Sequence, residues 1–183
     1  MYGGSGPEVS PAATPVVETE RLRLRGHRSN DLEACAAMWG DPDVVRYIGG
    51  SPSTKQQTWM RLLNYVGHWN TVGFGYWLVE DKRTRRFVGE VGFADFKRDL
   101  DPSFALLPEI GWALRSDARG MGYAREAVGA ALVWGDARWA RTFCIISPQN
   151  VPSLRVASAF DYRETSRVRY HGNDTIVFER SRS

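Results

Sequence analysis

Asp117 to Ala127 reads DARGMGYAREA, with Gly120 and Gly122 one residue apart directly before a run at helical spacing. Glycine costs roughly 0.5–1 kcal/mol relative to alanine inside regular structure, so two at an element boundary answer a demand of the backbone. Either a turn needs positive φ there, or main-chain N–H groups must come close to something negatively charged. In the second case the unpaired N–H groups of the first helical turn and the positive end of the helix dipole converge on one spot, which suits a phosphate. Spacing excludes both common nucleotide loops: Arg125 stands where a dinucleotide fingerprint wants Gly or Ala, and no GxxxxGK[ST] occurs.

The elements that position this loop follow from hydrophobic period. RLRLR at 21–25 alternates and predicts a half-buried strand with Leu22 and Leu24 inward. Asn30, with Glu33 three residues on, predicts a capped helix bearing Leu32, Cys35, Ala36 and Trp39, ended by Asp41-Pro42. A second helix is expected to open at Ser53 with Gln56 as reciprocal cap and Trp59, Leu62, Leu63 and Val66 on its buried face. Strands are expected over 76–80, 86–93 and 109–114, then a helix with Ala124, Ala127, Val128, Ala131 and Leu132 inward. A strand over 143–146, a helix over 150–160 and a hairpin of 164–170 with 175–180 complete the order. The sum is an α/β (α+β) fold, a mixed sheet of about seven strands with helices on both faces. Residues 1–17, rich in Gly, Ser, Pro and Ala, are expected to be a flexible tail before a single domain at 18–183.

WALRSDARGMGYAREA resembles motif A of the GNAT superfamily of acyl-CoA N-acyltransferases, whose pattern is Gln or Arg, two residues, Gly, one residue, Gly or Ala. NVPSLRVASAFDYRE resembles the Asn-x-x-Ser and terminal Gly-Phe segment of its RimJ and RimL branch, which acetylates ribosomal-protein N-termini; ETERLRLR and the closing hairpin resemble that branch too. The element order matches from Glu18 to Arg180. The resemblance implies a splay between the fourth and fifth strands, 109–114 and 143–146, where the pantetheine arm of acetyl-CoA pairs with the main chain of Trp112, Ala113 and Leu114. It implies pyrophosphate on Arg119, Gly120, Met121, Gly122, Tyr123 and Ala124, Asn150 and Ser153 near the arm, and an oxyanion on a strand N–H near Trp112 or Ala113. Three departures stand out. Asp117 replaces the Gln or Arg, leaving Arg119 to supply positive charge; Asp161-Tyr162 replaces Gly-Phe; and Ala157 sits where many members keep a tyrosine that protonates the thiolate, which excludes that acid there.

The implied reaction is direct attack of a neutral amine on the thioester. At pH 7 a lysine amine of pKa about 10.4 costs roughly 4.6 kcal/mol to deprotonate, an α-amine of pKa about 7.7–8.0 only about 1–1.4. Glu109 is the candidate base, directly or through water, with Glu90 as rival and a salt-bridged strand end as the structural alternative. Ser153 is the candidate donor to the leaving thiolate, by the same resemblance, against a helix-capping serine. Trp59, Trp69, Phe74, Tyr76 and Trp77 are assigned to the acceptor groove or the core, with Trp59 and Trp77 to the core, and the groove walls to 49–53 and 97–107. The acceptor classes left open are a protein N-terminal α-amine, including a ribosomal protein's, and a small-molecule amine. Two rival readings are a non-catalytic acyl-CoA-binding relative and a ribosome- or RNA-associated basic protein.

Composition narrows the field further. The net charge is +3 and the pI near 9.0, and lysine occurs only at Lys55, Lys82 and Lys97, a mild and dispersed bias that does not predict a direct nucleic-acid reader. Cys35 and Cys144 lie in apolar surroundings without CxxC spacing, as buried thiols in a reducing compartment do. His27, His68 and His171 lack ligand spacing, so no metal is expected. No run approaches the ~18 apolar residues of a membrane span, and the expectation is a cytoplasmic monomer or homodimer.

Overall fold

The computed structural model describes residues 14–98, 100 and 107–182; most of the expected tail and the tip of the loop after Arg98 lie outside them. Eight strands form one sheet: β1 (Val17–Glu18), β2 (Leu22–Arg25), β3 (Tyr76–Asp81), β4 (Phe87–Ala94), β5 (Glu109–Leu114), β6 (Arg141–Ile146), β7 (Arg163–Tyr170) and β8 (Asn173–Ser181). Their order across the sheet is β1-β2-β3-β4-β5-β6-β8-β7. The helices are α1 (Leu32–Trp39), α2 (Pro42–Val45), α3 (Lys55–Val72), α4 (Tyr123–Asp136) and α5 (Val151–Ser158). The strand beyond the expected seven is β1, whose two residues are too few to show a period. It crosses the boundary expected for the tail, and the Pro15 carbonyl accepts a bond from the Trp77 indole at 2.8 Å.

Both faces of the central strands are covered, which is why YWLV reads as a continuous apolar run rather than an alternation. Trp77, Val79, Val91 and Phe93 join Ala127, Val128, Ala131 and Leu132 of α4 in the main cluster, with Trp69 and Trp134 closing edge-to-face around Trp77 at 4.8 and 5.1 Å. On the other face Leu78 and Ala113 pack with Cys35, Met38 and Trp39 of α1, and Tyr76 and Ala94 with Tyr65 of α3.

Three local expectations shift. The first helix is entered through a 3-10 turn in which Arg28 N–H donates to the Asp31 carboxylate at 2.6 Å, so Asn30 is not its cap and Glu33 pairs with Lys55. The next long helix is capped by Thr54 and Gln57, one residue beyond Ser53 and Gln56, and its buried stripe is Thr58, Leu62, Tyr65 and Trp69, with Leu63 exposed. The stripe went unseen because a threonine and a tyrosine occupy two of its four places. Asp41-Pro42 does not simply end a helix: Asp41 caps α2 by accepting from Asp43 N–H, with Pro42 in the first turn.

The sheet opens where β5 meets β6. These parallel strands share one residue pair, Glu109 with Phe143, and Phe143 N–H donates to the Pro108 carbonyl at 3.2 Å. Beyond that bridge β5 stays paired along its whole length to β4, and β6 along its whole length to β8.

The turn between β3 and β4 ties down the start of α4. Asp81 accepts from the N–H and hydroxyl of Thr84 and from the Tyr123 hydroxyl at 2.7 Å, which hold its carboxyl down at about 2. A depressed carboxylate contributes stability that is present above its unfolded pKa of about 3.9 and lost as pH falls through its folded value. Asp81→Asn therefore lowers Tm at pH 5–7, and the gap to the wild type closes between about pH 4 and pH 2; a gap that persists at pH 2 assigns the effect to something other than the carboxylate. Trp77→Ala, at a fully buried side chain, costs about 3–5 kcal/mol in urea denaturation.

Candidate active site

The glycine loop leaves the open strand at Leu114 through a 3-10 turn, Ser116–Ala118, and enters α4 at Gly122. Gly120 and Gly122 have φ of +75° and +77°, and a Cβ on Gly120 would meet nothing within 4 Å. The glycines thus serve the left-handed backbone, and they also leave bare peptide at the helix tip. Among the described residues, no partner is found for the N–H groups from Gly120 to Arg125; Glu126 is the first to bond back, to the Gly122 carbonyl. The loop is braced from the protein side, since Arg21 donates to the Met121 carbonyl at 2.9 Å and pairs with Glu126 at 2.6 Å, while Tyr123 is buried with its hydroxyl on Asp81. A group with phosphate chemistry fits this cradle, because six consecutive amides without a partner among the described residues lie at the positive end of a helix dipole.

Two expected loop contacts are otherwise engaged. Arg119 N–H donates to the Ser116 carbonyl at 3.4 Å and its guanidinium to the Asp43 carbonyl at 2.6 Å, so its side chain holds α2 rather than lying free over the loop. Asp117 is neutralised in place by Arg115 and Arg86, at 2.9 and 3.1 Å, which lowers its carboxyl pKa below the usual range.

Antiparallel alternation decides which peptide groups face the gap. Arg115 N–H donates to the Val88 carbonyl, so in the same register Ala113, Gly111 and Glu109 exchange bonds with β4, and Trp112 and Leu114 turn their N–H and C=O toward β6. The main chain of Ala113, expected at the pantetheine arm, bonds within the sheet, whereas the main chain of Trp112 and Leu114 faces the gap.

A cleft of about 770 Å³ lies along this opening and is lined by Glu109, Trp112, Asn150 and Ser153 among others. Glu109 is 4% exposed. Arg98 grips it with both ends of its fork, Nε to Oε2 at 2.5 Å and Nη2 to Oε1 at 2.9 Å, and gives its remaining nitrogen to the Tyr170 hydroxyl at 3.1 Å. Burial pushes the Glu109 carboxyl up, and the guanidinium pulls against that shift. Asn150 caps α5, its side-chain oxygen accepting from Ser153 N–H at 3.3 Å, while the Ser153 hydroxyl has no partner among the described residues. Ala157 is fully buried.

Glu90 is elsewhere. It is 1% exposed on the α1 side, with Oε1 facing His27 Nε2 at 3.2 Å and Oε2 accepting from the Trp39 indole at 3.0 Å. His27, Cys35 and Glu90 come within 4.8 Å of one another, a meeting that their sequence spacing does not reveal. Of the aromatics weighed for the groove, Tyr76 lines the cleft, whereas Trp69 and Trp77 belong to the core. Arg98 lines the cleft from the expected groove wall at 97–107, whereas Trp39, Arg61, Tyr65, Phe96 and Tyr170 were missed as cleft residues. Helical period could have found Tyr65; nothing local marks Tyr170 or the pairing of Arg98 with Glu109.

Comparison with known proteins fits this geometry. A family model described as an acetyltransferase (GNAT) domain matches residues 21–163. YkkB of Bacillus subtilis is 29% identical over 171 residues, covering 88% of this chain and 93% of YkkB. A GnaT-family protein structure from Bordetella pertussis superimposes with a TM-score of 0.81 at 30% identity, covering 91% of this chain and 99% of the other. The ribosomal-protein-S5-alanine acetyltransferase of Vibrio fischeri superimposes with a TM-score of 0.72 over 91% of this chain and 96% of its own, and at 20% identity that likeness is one of fold. With its open strand edge and its bare helix tip, the chain belongs to the GNAT acetyltransferase family, whose members draw the acetyl group from acetyl-CoA.

Proposed function

We propose that the protein transfers acetyl from acetyl-CoA to a primary amine by direct attack, with the cofactor's diphosphate on the amides of Gly120 to Ala124 and its arm along Trp112 and Leu114. The observation that supports this most is the run of unpartnered amides at the tip of α4, beside a strand edge left open after one bridge. The Trp112 N–H is the donor for the developing oxyanion, being aimed at the gap from a rigid strand.

Glu109 takes the amine proton through a water. Its carboxylate lines the cleft, burial has raised its proton affinity, and the two oxygens already accept from Arg98, so a relayed path competes less with that pair than direct contact would. Ser153, whose hydroxyl has no partner among the described residues, donates a hydrogen bond to the leaving thiolate, which takes its proton from solvent. A thiol of pKa about 8.5 leaves readily, so this assistance is small. The acceptor is a protein N-terminal α-amine or a small-molecule amine, and two buried free thiols support a reducing compartment such as the cytoplasm.

Calorimetric titration should show acetyl-CoA binding that Gly120→Val and Gly122→Val each weaken by tenfold or more; no binding to the wild type at millimolar ligand ends the proposal. Glu109→Gln should lower kcat/KM about 100-fold near pH 7, with the deficit shrinking toward pH 9 as the acceptor loses its proton unaided. Ser153→Ala should cost less than tenfold in kcat. Intact acetyl-CoA binding without thiol release toward any amine would leave a binding protein instead.

A further inference from the structure

Four arginines line the cleft: Arg46, Arg61, Arg98 and Arg169. Three have carboxylate partners, Arg46 in Asp43 at 2.9 Å, Arg98 in Glu109, and Arg169 in Asp174 at 3.9 Å. Arg61 has none among the described residues. Its guanidinium lies over the Trp39 ring, 3.9 Å from the centroid, and its Nε is buried without a hydrogen-bond partner. The neighbouring phenols, Tyr65 and Tyr76, are kept neutral by burial, which pushes both well above the usual range. Glu90 attracts the guanidinium from the core side, but its oxygens are already engaged with His27 and Trp39. A ring face and neutral hydroxyls recover only part of what a cation loses on leaving water; an anion recovers more.

The position of this cation matters as much as its lack of a carboxylate partner among the described residues; the Tyr65 hydroxyl beside it favours its charge without supplying a counter-ion. Tyr65 stacks on Tyr76 with centroids 4.5 Å apart and planes 7° from parallel. The Tyr76 hydroxyl in turn sits 2.0 Å from where a Cβ on Gly111 would be, on the strand between Ile110 and Trp112. Arg61 is therefore one stacked ring pair away from the open strand. The negative charge of Glu109 is already committed to Arg98, so this end of the cleft offers a polycationic acceptor no spare carboxylate, and it holds one guanidinium without a salt bridge among the described residues.

We propose that Arg61 receives a carboxylate of the acceptor, so that the substrate is a compact amine bearing a carboxylate near its nitrogen, of which a free amino acid is the simplest, rather than a polyamine. A guanidinium fork suits that group because it offers two parallel donors to its two oxygens. This rests on the acetyltransferase reading above and specifies its acceptor.

The test uses the full chain, acetyl-CoA and thiol release with the free amino acids, their carboxamides and spermidine, in the wild type, Arg61→Gln and Arg61→Lys. Acetyl-CoA titration of each variant reports an intact fold and cofactor site, while thiol release toward any acceptor reports the transferase reading independently of Arg61. The expected result is kcat/KM at least tenfold higher for acids than for the matching amides, carried by KM, with the ratio collapsing toward one in Arg61→Gln and partly restored in Arg61→Lys. Equal or better use of spermidine or of the amides, or an equal loss for acids and amides in Arg61→Gln, overturns the assignment of Arg61 while the turnover itself leaves the transferase standing. Should no acceptor in the panel turn over, calorimetry with N-acetylalanine and N-acetylalaninamide decides: tighter binding of the acid that is lost in Arg61→Gln supports the proposal, and no Arg61-dependent difference sinks it.

Discussion

The rest of the structure depends on two adjacent strands that stop sharing hydrogen bonds. After the bridge between Glu109 and Phe143, β5 and β6 each remain paired on the outer side only, so peptide groups of Trp112 and Leu114 face an opening. Unpaired backbone polar groups are costly wherever water is excluded, and their persistence means that solvent or a ligand meets them. The opening is held by its neighbours: β6 is tied to β8 over six residue pairs, and β4 binds β5 over six more, so neither strand can slide across to close the gap without breaking a ladder.

The helix that follows extends the same logic. Two glycines at positive φ flank Met121 and leave their own peptides at the tip of α4 without side chains, while Arg21, Glu126, Asp81 and Tyr123 brace the loop. The result is rigidity where the backbone must be exposed. α4 buries Ala127, Val128, Ala131 and Leu132 against Trp77 and Phe93, so the tip inherits its position from the most deeply buried part of the molecule. Replacing the family's usual Gln or Arg by Asp117 does not leave a repulsive charge facing a diphosphate, because Arg115 and Arg86 neutralise it locally.

Charge within the cleft is organised by pairing. Arg98 fixes Glu109 and Tyr170 in one chain of bonds, linking the loop after β4 to the strand of the reaction and to the closing hairpin. On the α1 side, Glu90 is locked by His27 and Trp39 at a depth that gives it a structural part, separating the two carboxylates that looked like rivals. Arg61 stacks on the same Trp39 that donates to Glu90, yet it forms no salt bridge among the described residues, and that contrast sets it apart from the other arginines of the cleft.

Much of this was legible in the residues. Alternation at 21–25 and the buried run at 76–79 follow from local period, as does the small-residue stripe of α4, because side-chain direction repeats every 2 or 3.6 residues whatever the surroundings. The glycine pair and Asn150 with Ser153 declared the loop and the last helix start for the same reason: backbone demands are local. Which peptide of 112–114 faces the gap, which glutamate lines the cleft, and that Arg98 reaches Glu109 from a separate loop were decided only by the tertiary structure. Those outcomes depend on register between strands far apart in the chain and on the meeting of side chains from α1, α3, β5 and the final hairpin, and no local pattern encodes a distance that is set by packing.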